Sequence, residues 1–334
     1  MKNKLLIIAE IAQGFEGNFE QSKLLIKAAA KAGADAVKFQ LVYANELATA
    51  DYKYYSLFKE LEMSISQWKS LKDYALSLNT NLIVDVFGEK SLKTAENLDI
   101  NMIKVHGTDV TNIGLLEKIA ISSLKTVIIG VGGAYWEEIE NVIKILKNKH
   151  LILLCGFQGY PTKIEDNHIA RMKFISKKTK GMHTNYQMGF ADHPQEEKYN
   201  STLCLIALGA GAEVIEKHLT LGKVMEMEDF ESALNPDEFK FFIEQIKSGK
   251  LALGNISSLN DFGMSKAEKK YRKNIRRDVV AKKEILKGEI LNEHKITLKR
   301  TSNTGSIKEV KLVLGKQAKR LIKKDHPILT KDIN

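Results

Sequence analysis

At 334 residues, 44% hydrophobic and 28% charged, the chain has the composition of a soluble globular protein and room for one large domain and one small one. Its two cysteines, Cys155 and Cys204, supply no disulfide framework and no zinc cluster, so a reducing cytoplasm is the expected setting. The net charge of +10 is uneven: Arg276 to Asn334 holds sixteen Lys and Arg against seven Asp and Glu, whereas residues 1–265 are slightly acidic.

The N-terminal stretch MKNKLLIIAEIAQG has a short apolar run broken at once by Glu10, Gln13 and Glu16, which predicts a buried strand and neither a signal peptide nor a membrane span. Further apolar, β-branched runs follow at Ala36 to Phe39, Leu82 to Val86, Met102 to Val105, Val127 to Val131, Leu151 to Leu154, Gln187 to Phe190 and Val214 to Ile215. Amphipathic helical segments alternate with them: Glu20 to Ala32, Ser66 to Leu78, Lys90 to Leu98, Ile113 to Ile121, Glu137 to Lys147, Glu165 to Lys178, Glu196 to Ala210 and Pro236 to Ile246. The last begins with proline and carries Asp237 and Glu238 in its first turn, both favourable at a helix N-terminus. Eight strand-helix units in residues 1–254 predict a closed (β/α)8 TIM barrel. An open parallel sheet of that size would carry a glycine-rich dinucleotide loop after its first strand, where this chain reads Glu10-Ile11-Ala12-Gln13-Gly14-Phe15.

In such a barrel the site lies at the C-terminal ends of the strands. Those ends read Glu10, Lys38 with Gln40, Asp85, Lys104 with His106, Gly130, Gln158 with Tyr160, His193 and His218. If the seventh and eighth runs are adjacent parallel strands, His193 and His218 emerge side by side, where a divalent metal could bridge them; either one alone reads equally as an ordinary hydrogen-bonded strand-end residue. Two lysines and glycine-rich turns around one mouth suit a phosphate or carboxylate ligand, and each lysine singly reads also as the partner of a carboxylate such as Asp85 or Glu10.

Residues 255–275 are polar and lysine-rich and read as a linker. Residues 276–334 read as a small, pseudo-symmetric β-rich domain, because Ile285 to Ile296 and Ile322 to Ile333 each place isoleucines eleven apart around a polar turn. A basic tail alone can signal nucleic acid, but no aromatic stacking motif, zinc-finger spacing or basic helix with a dimerising heptad accompanies it, so neither a nucleic acid nor a membrane is expected as partner.

These stretches carry a resemblance. Ile8-Ala9-Glu10-Ile11, Ala32 to Gln40, Ile103-Lys104-Val105, Tyr160-Pro161-Thr162 with Glu165-Asp166, Asp192-His193, Glu216-Lys217-His218, Asn235-Pro236-Asp237 and, in the tail, Ile285 to Glu289, Lys299-Arg300 and Leu314-Gly315-Lys316 resemble the sialic acid synthase family. The resemblance covers nearly the whole chain in motif order. It implies a metal-dependent barrel with a C-terminal antifreeze-like (SAF) domain, condensing phosphoenolpyruvate with an N-acylated hexosamine to give a nonulosonic (sialic-type) acid and phosphate.

Carried over residue by residue, the resemblance implies His193 and His218 as ligands of Mn2+ or Mg2+, and Lys38 and Lys104 on the phosphate and carboxylate of phosphoenolpyruvate. Glu10, Gln40, Tyr160 and Asp229 would face the sugar, with Glu10 or Asp229 moving the proton, and Thr108 and Gln158 would line the donor pocket. Arg300 would reach the sugar's acyl group from the tail of a second subunit, in a homodimer that exchanges tail domains. The implied reaction joins C3 of phosphoenolpyruvate to the open-chain sugar's aldehyde carbon, adds water at C2 and releases phosphate by C–O cleavage, with the metal polarising the aldehyde.

The sequence departs from the family at Gly14-Phe15, where an Asn-His pair is usual, and at Asp85, where Thr or Ser is usual. Gly107 and Gly130 stand for serines, Ala191 for a serine, Gln158 for an asparagine and Asp109 for a glutamate. Three function classes follow. A synthase releases phosphate only with metal, donor and sugar together; a catalytically altered relative binds sugar without releasing phosphate; a nucleic-acid binder shows steeply salt-dependent binding to a random duplex. N-acetylmannosamine, its phosphorylated form and diacetamido hexoses all fit the implied chemistry.

Overall fold

The structure is a computed structural model that describes residues 5–156, 159, 162–194, 197–254 and 263–334. It divides into two units, residues 1–254 and 255–334. In the first, eight parallel strands close into a barrel in sequential order: β1 (Leu6–Ala12), β2 (Ala36–Gln40), β3 (Asn81–Val86), β4 (Met102–Val105), β5 (Thr126–Gly130), β6 (His150–Cys155), β7 (Tyr186–Asp192) and β8 (Val214–His218), with β8 pairing back onto β1. This is the (β/α)8 barrel expected from the alternating pattern.

The helices on the outside of the barrel are α1 (Phe19–Ala32), α2 (Ala44–Leu47), α3 (Tyr55–Glu60), α4 (Ile65–Ser77), α5 (Glu89–Asn97), α6 (Ile113–Ile121), α7 (Trp136–Ile145), α8 (Arg171–Lys180), α9 (Thr202–Ala210) and α10 (Pro236–Leu253). Local chemistry sets their ends. Asn18 accepts the Gln21 N–H at the start of α1, and Gly33 ends that helix in the left-handed region that glycine adopts without a Cβ penalty. Ser64 and Gln67 form a reciprocal capping box on α4, and Pro236 opens α10 behind the Asn235–Glu238 box. The helix expected over Glu165 to Lys178 starts only at Arg171, because Ile164–Asn167 forms a separate 3-10 turn ended by His168 at φ +41°. Among the described residues no helix is long and apolar enough to cross a membrane.

Side chains alternate between the barrel interior and the helix layer. The outer set, including Ile7, Val37, Val84, Ile103, Ile129, Leu153 and Phe190, packs under the helices. Phe15, Phe39 and Trp68 meet there edge to face, with centroids 5.5–6.1 Å apart, tying the β1 end and β2 to α4; such contacts contribute about 0.5–1.5 kcal/mol each beyond area burial. Phe15, the residue at the family's Asn-His position, is therefore core here. The inner set starts with an apolar plug of Ile8, Ala36, Ile83, Ile128, Ile152, Leu154, Ala191 and Val214. One step on, toward the C-terminal strand ends, the interior turns polar.

The second unit begins differently from the expected linker over 255–275. Residues 255–262 lie outside the described residues, and Lys266–Ile275 is a helix, α11, with a Ser265–Glu268 capping box and no buried side chain. Strands β9 (Asp278–Ala281) and β10 (Ile296–Lys299) pair antiparallel. Ile285 and Ile322 exchange both backbone hydrogen bonds at 2.9 Å, and Ala318 bridges Ile333. The four isoleucines spaced eleven apart, Ile285, Ile296, Ile322 and Ile333, are all buried in one core with Val279, Leu291, Val313 and Ile328.

Candidate active site

Strand alternation decides which residues share the barrel interior. Counting inward from the apolar plug, β1 presents Glu10, β2 Lys38, β3 Asp85, β4 Lys104 and β8 Glu216, all 4% exposed or less. A layer of five ionisable groups in a dry interior persists only if the groups satisfy one another. Lys38 does most of this: its ammonium contacts the Glu10 carboxylate, lies 2.8 Å from Asp85 Oδ1 and 3.7 Å from Glu216 Oε2. Lys104 Nζ lies 2.8 Å from Glu216 Oε1. Both lysines lie in the barrel interior as carboxylate partners, the pairing that each lysine singly suggested in the sequence.

Two ammonium groups against three carboxylates leave one negative charge in excess, and the layer sheds it at Glu10. Burial, only partly opposed by Lys38, pushes that carboxyl up to about 8. Glu216 goes the other way: burial raises it too, but Lys104 and Lys38 outweigh that and hold it at about 2. Burial also works against the charge on Lys38, yet Asp85, Glu10 and Glu216 keep its ammonium well above the usual lysine range. Asp85 Oδ2 and Glu216 Oε2 have no hydrogen-bond partner among the described residues. Glu10 Oε1 accepts the Ala12 N–H at 2.6 Å, across the irregularity where β1 slips register against β2.

The next layer outward holds the histidines. His193 follows β7 and His218 ends β8; both are buried, with ring centroids 5.1 Å apart and planes tilted by 58°. Burial, followed by the neighbouring His193, drives the His218 pKa well below the ordinary value, so its imidazole is neutral, the form that ligates metals. Asp229, held at φ +64° in the loop after β8, puts Oδ2 4.0 Å from His218 Nδ1. Burial, then Glu228 and Glu231, pushes its carboxyl up to about 6. The neutral His218 imidazole beside His193, with one carboxylate nearby, is a donor set that fits a divalent cation with positions left open for oxygen ligands. No group of three or more His, Cys, Asp or Glu placed to hold a metal ion occurs among the described residues.

On the opposite face of the two histidine strands a second ion pair forms. Asp192 and Lys217, each adjacent to a histidine and facing the helix layer, meet at 3.0 Å, and Lys217 also donates to Asn200 Oδ1 at 3.0 Å. Both members of the pair are fully buried. This pair and Glu216 were not singled out from the sequence. The signal was there: Glu216 is two residues before His218 and so shares its face, while Lys217 takes the other.

Around this centre, Gln40 accepts from Gln13 Nε2 at 2.8 Å, and the Thr108 hydroxyl lies 2.9 Å from His106 Nδ1 and 3.2 Å from Asp109. Burial, then Lys104, lowers the His106 pKa to about 4. Gln158 and Tyr160 lie outside the described residues. Arg300 is exposed just past β10 in the second unit. At Gly156, where φ is +149°, an added Cβ would fall 2.3 Å from the Ala191 carbonyl oxygen, so glycine is required for β6 to run this close to β7. A cavity of about 170 Å³ lined by Leu6, Ala36, Ile83 and Met102, with Lys72 and Asp99 at its edge, lies at the other, N-terminal end of the barrel.

Comparison with known proteins matches the two units of the chain. The family described as the NeuB family matches residues 25–258, and the SAF domain matches residues 276–334. The chain is 31% identical to an N,N'-diacetyllegionaminic acid synthase of Campylobacter jejuni, covering 97% of this chain and 99% of that one. It is 26% identical to a human N-acetylneuraminate-9-phosphate synthase over 88% of this chain and 82% of that one. Among solved structures, an N-acetylneuraminic acid synthetase of Leptospira borgpetersenii superposes with a TM-score of 0.73 at 26% identity, covering 82% of this chain and 93% of that one.

Proposed function

Because this chain belongs to the NeuB family and ends in a SAF domain, we propose that it condenses phosphoenolpyruvate with an N-acylated hexosamine, releasing phosphate and a nonulosonic acid. The observation that carries the reading is the stacking of two layers inside one barrel: His193 and His218, with ring centroids 5.1 Å apart, above the lysines Lys38 and Lys104. The relatives named above are sialic-type acid synthases, which supports the reaction class.

His193 and His218 would hold a Mn2+ or Mg2+ ion, which when bound supplies Lewis-acid polarisation of the sugar aldehyde. Lys38 and Lys104 give point charges for the donor's phosphate and carboxylate in a water-poor interior, where such contacts are strong. Holding the donor's C3 against the aldehyde carbon is then mostly a matter of position. Glu10, neutral at the floor, and Asp229, near its midpoint at the mouth, are the two groups suited to hold and move protons, and Gln40 and Thr108 add hydrogen-bonding edges. Arg300 from a partner's tail would close the sugar end in a homodimer, a reading supported by the contrast between a slightly acidic barrel and a tail of net charge +9 (sixteen basic against seven acidic residues).

The internal neutralisation of Lys38 by Asp85 favours one second reading, a relative that binds the sugar without turnover. A single screen separates the two. Purified protein with Mn2+ is offered phosphoenolpyruvate with N-acetylmannosamine, its phosphorylated form or a diacetamido hexose, and phosphate is measured. Release that needs donor, sugar and metal together supports the synthase; sugar binding with no release from any pair supports the silent relative.

A further inference from the structure

Among the described residues Lys38 has three carboxylate neighbours: it touches Glu10, lies 2.8 Å from Asp85 and 3.7 Å from Glu216, whereas the carboxylate paired with Lys104 among them is Glu216. Asp85 is itself fully buried, and its second oxygen, Oδ2, has no hydrogen-bond partner among the described residues. A carboxylate with one oxygen on an ammonium and the other unsatisfied is poorly compensated for its own burial, and it presents negative charge to any anion that approaches the same ammonium. Lys104 does not need it, since its partner is Glu216, and without Asp85 the layer still has two carboxyls for two ammonium groups once Glu10 releases the proton it holds beside Asp85.

We propose that Asp85 is a specificity-determining residue that competes with the donor anion for Lys38, weakening binding of polyanionic donors and setting the donor concentration at which the barrel fills. It acts through Lys38 and touches no reacting atom, so it is a positioning residue. The inference takes the donor's identity from the function proposed above. An anion with a phosphate and a carboxylate must either displace Asp85 from Lys38 or lie beside it, and a like charge within a few ångströms in a low-dielectric interior costs on the order of a tenfold change in affinity or more.

The test is calorimetric titration of the full-length protein, Asp85→Asn and Asp85→Ser with phosphoenolpyruvate and, separately, with inorganic phosphate. Both variants should bind phosphoenolpyruvate about tenfold more tightly than wild type, and in turnover the KM for phosphoenolpyruvate should fall while kcat changes less. A structural defect would weaken binding, so tightening is a readout that damage does not produce. Unchanged or weaker binding by variants that melt within a few degrees of wild type overturns the proposal and makes Asp85 the group that holds Lys38 in place. Binding needs no turnover, which keeps the two readings apart: tighter binding by a protein that never releases phosphate leaves this inference standing and sinks the synthase, and an active enzyme with unchanged affinity does the reverse.

Discussion

Lys104 on β4 and Glu216 on β8 meet inside the barrel with Nζ 2.8 Å from Oε1, although 112 residues separate them. Strands that are not neighbours in the sheet are thereby joined across its interior. The charged layer so formed lies between an apolar plug and the histidines, and it fixes what each part of the site tolerates.

The first expectation concerns the histidines. His193→Ala and His218→Ala should each abolish Mn2+ binding, followed by electron paramagnetic resonance, and reduce phosphate release by several orders of magnitude. With two imidazole ligands only, a chelator should strip the ion readily from wild type. Far-ultraviolet circular dichroism should be unchanged. Activity that survives both chelation and the substitutions would exclude the metal-dependent synthase.

A second expectation is a pH dependence set by Glu10. Its folded carboxyl, at about 8, is raised above the ordinary value of 4.5. The folded state therefore holds a proton that the unfolded state gives up. This contribution to stability is complete below about pH 4.5 and is lost as pH rises through about 8. Glu10→Gln mimics the protonated form, so the melting temperature of the variant relative to wild type should climb between pH 6 and pH 9 in metal-free protein. A flat difference over that range would place the surplus charge on another carboxyl.

Asp192 and Lys217 make a sharper stability test. Lys217→Met leaves Asp192 buried without its cation, a loss on the order of 3–5 kcal/mol, whereas the double replacement Asp192→Asn with Lys217→Met should cost clearly less. Urea titration of the three proteins measures this. Because each member adjoins a histidine, Mn2+ affinity should fall in the double variant even where stability returns.

Tail exchange is tested by mixing two inactive proteins, Arg300→Ala and His193→Ala. If Arg300 serves the partner's barrel, a mixed dimer has one barrel with intact histidines and an intact arginine above it. Activity should then return to about a quarter of wild type under random exchange, a consequence of two-fold symmetry. Subunit exchange without recovery would confine Arg300 to its own barrel or to no catalytic part.

The barrel was legible because its signals are redundant. Eight apolar, β-branched runs alternate with helical segments, and an error at one end, such as the helix that starts at Arg171 after a 3-10 turn, leaves the order intact. The two short helices α2 and α3 were not legible, since the tyrosine-rich stretch around them has neither helical periodicity nor caps with side-chain hydrogen bonds. Strand-end position was enough to find Lys38, Lys104, His193 and His218. Alternation offered Glu216 and the strand ends offered Asp85 as a lysine partner, but that Glu216 reaches both Lys38 and Lys104 depends on barrel closure, which no local pattern records.

The packing of Trp68 has a practical consequence. The protein's two tryptophans, Trp68 and Trp136, both lie in residues 1–254. Trp68 is fully enclosed by an apolar shell with Phe15 and Phe39, and its indole nitrogen has no hydrogen-bond partner among the described residues. An indole so shielded emits at the blue end of its range and shifts red when water reaches it. Tryptophan fluorescence therefore follows the barrel and is blind to the tail, while circular dichroism sees both. A transition present in the second signal and missing from the first would point to residues 255–334, so the pair of signals tests whether the two units melt together.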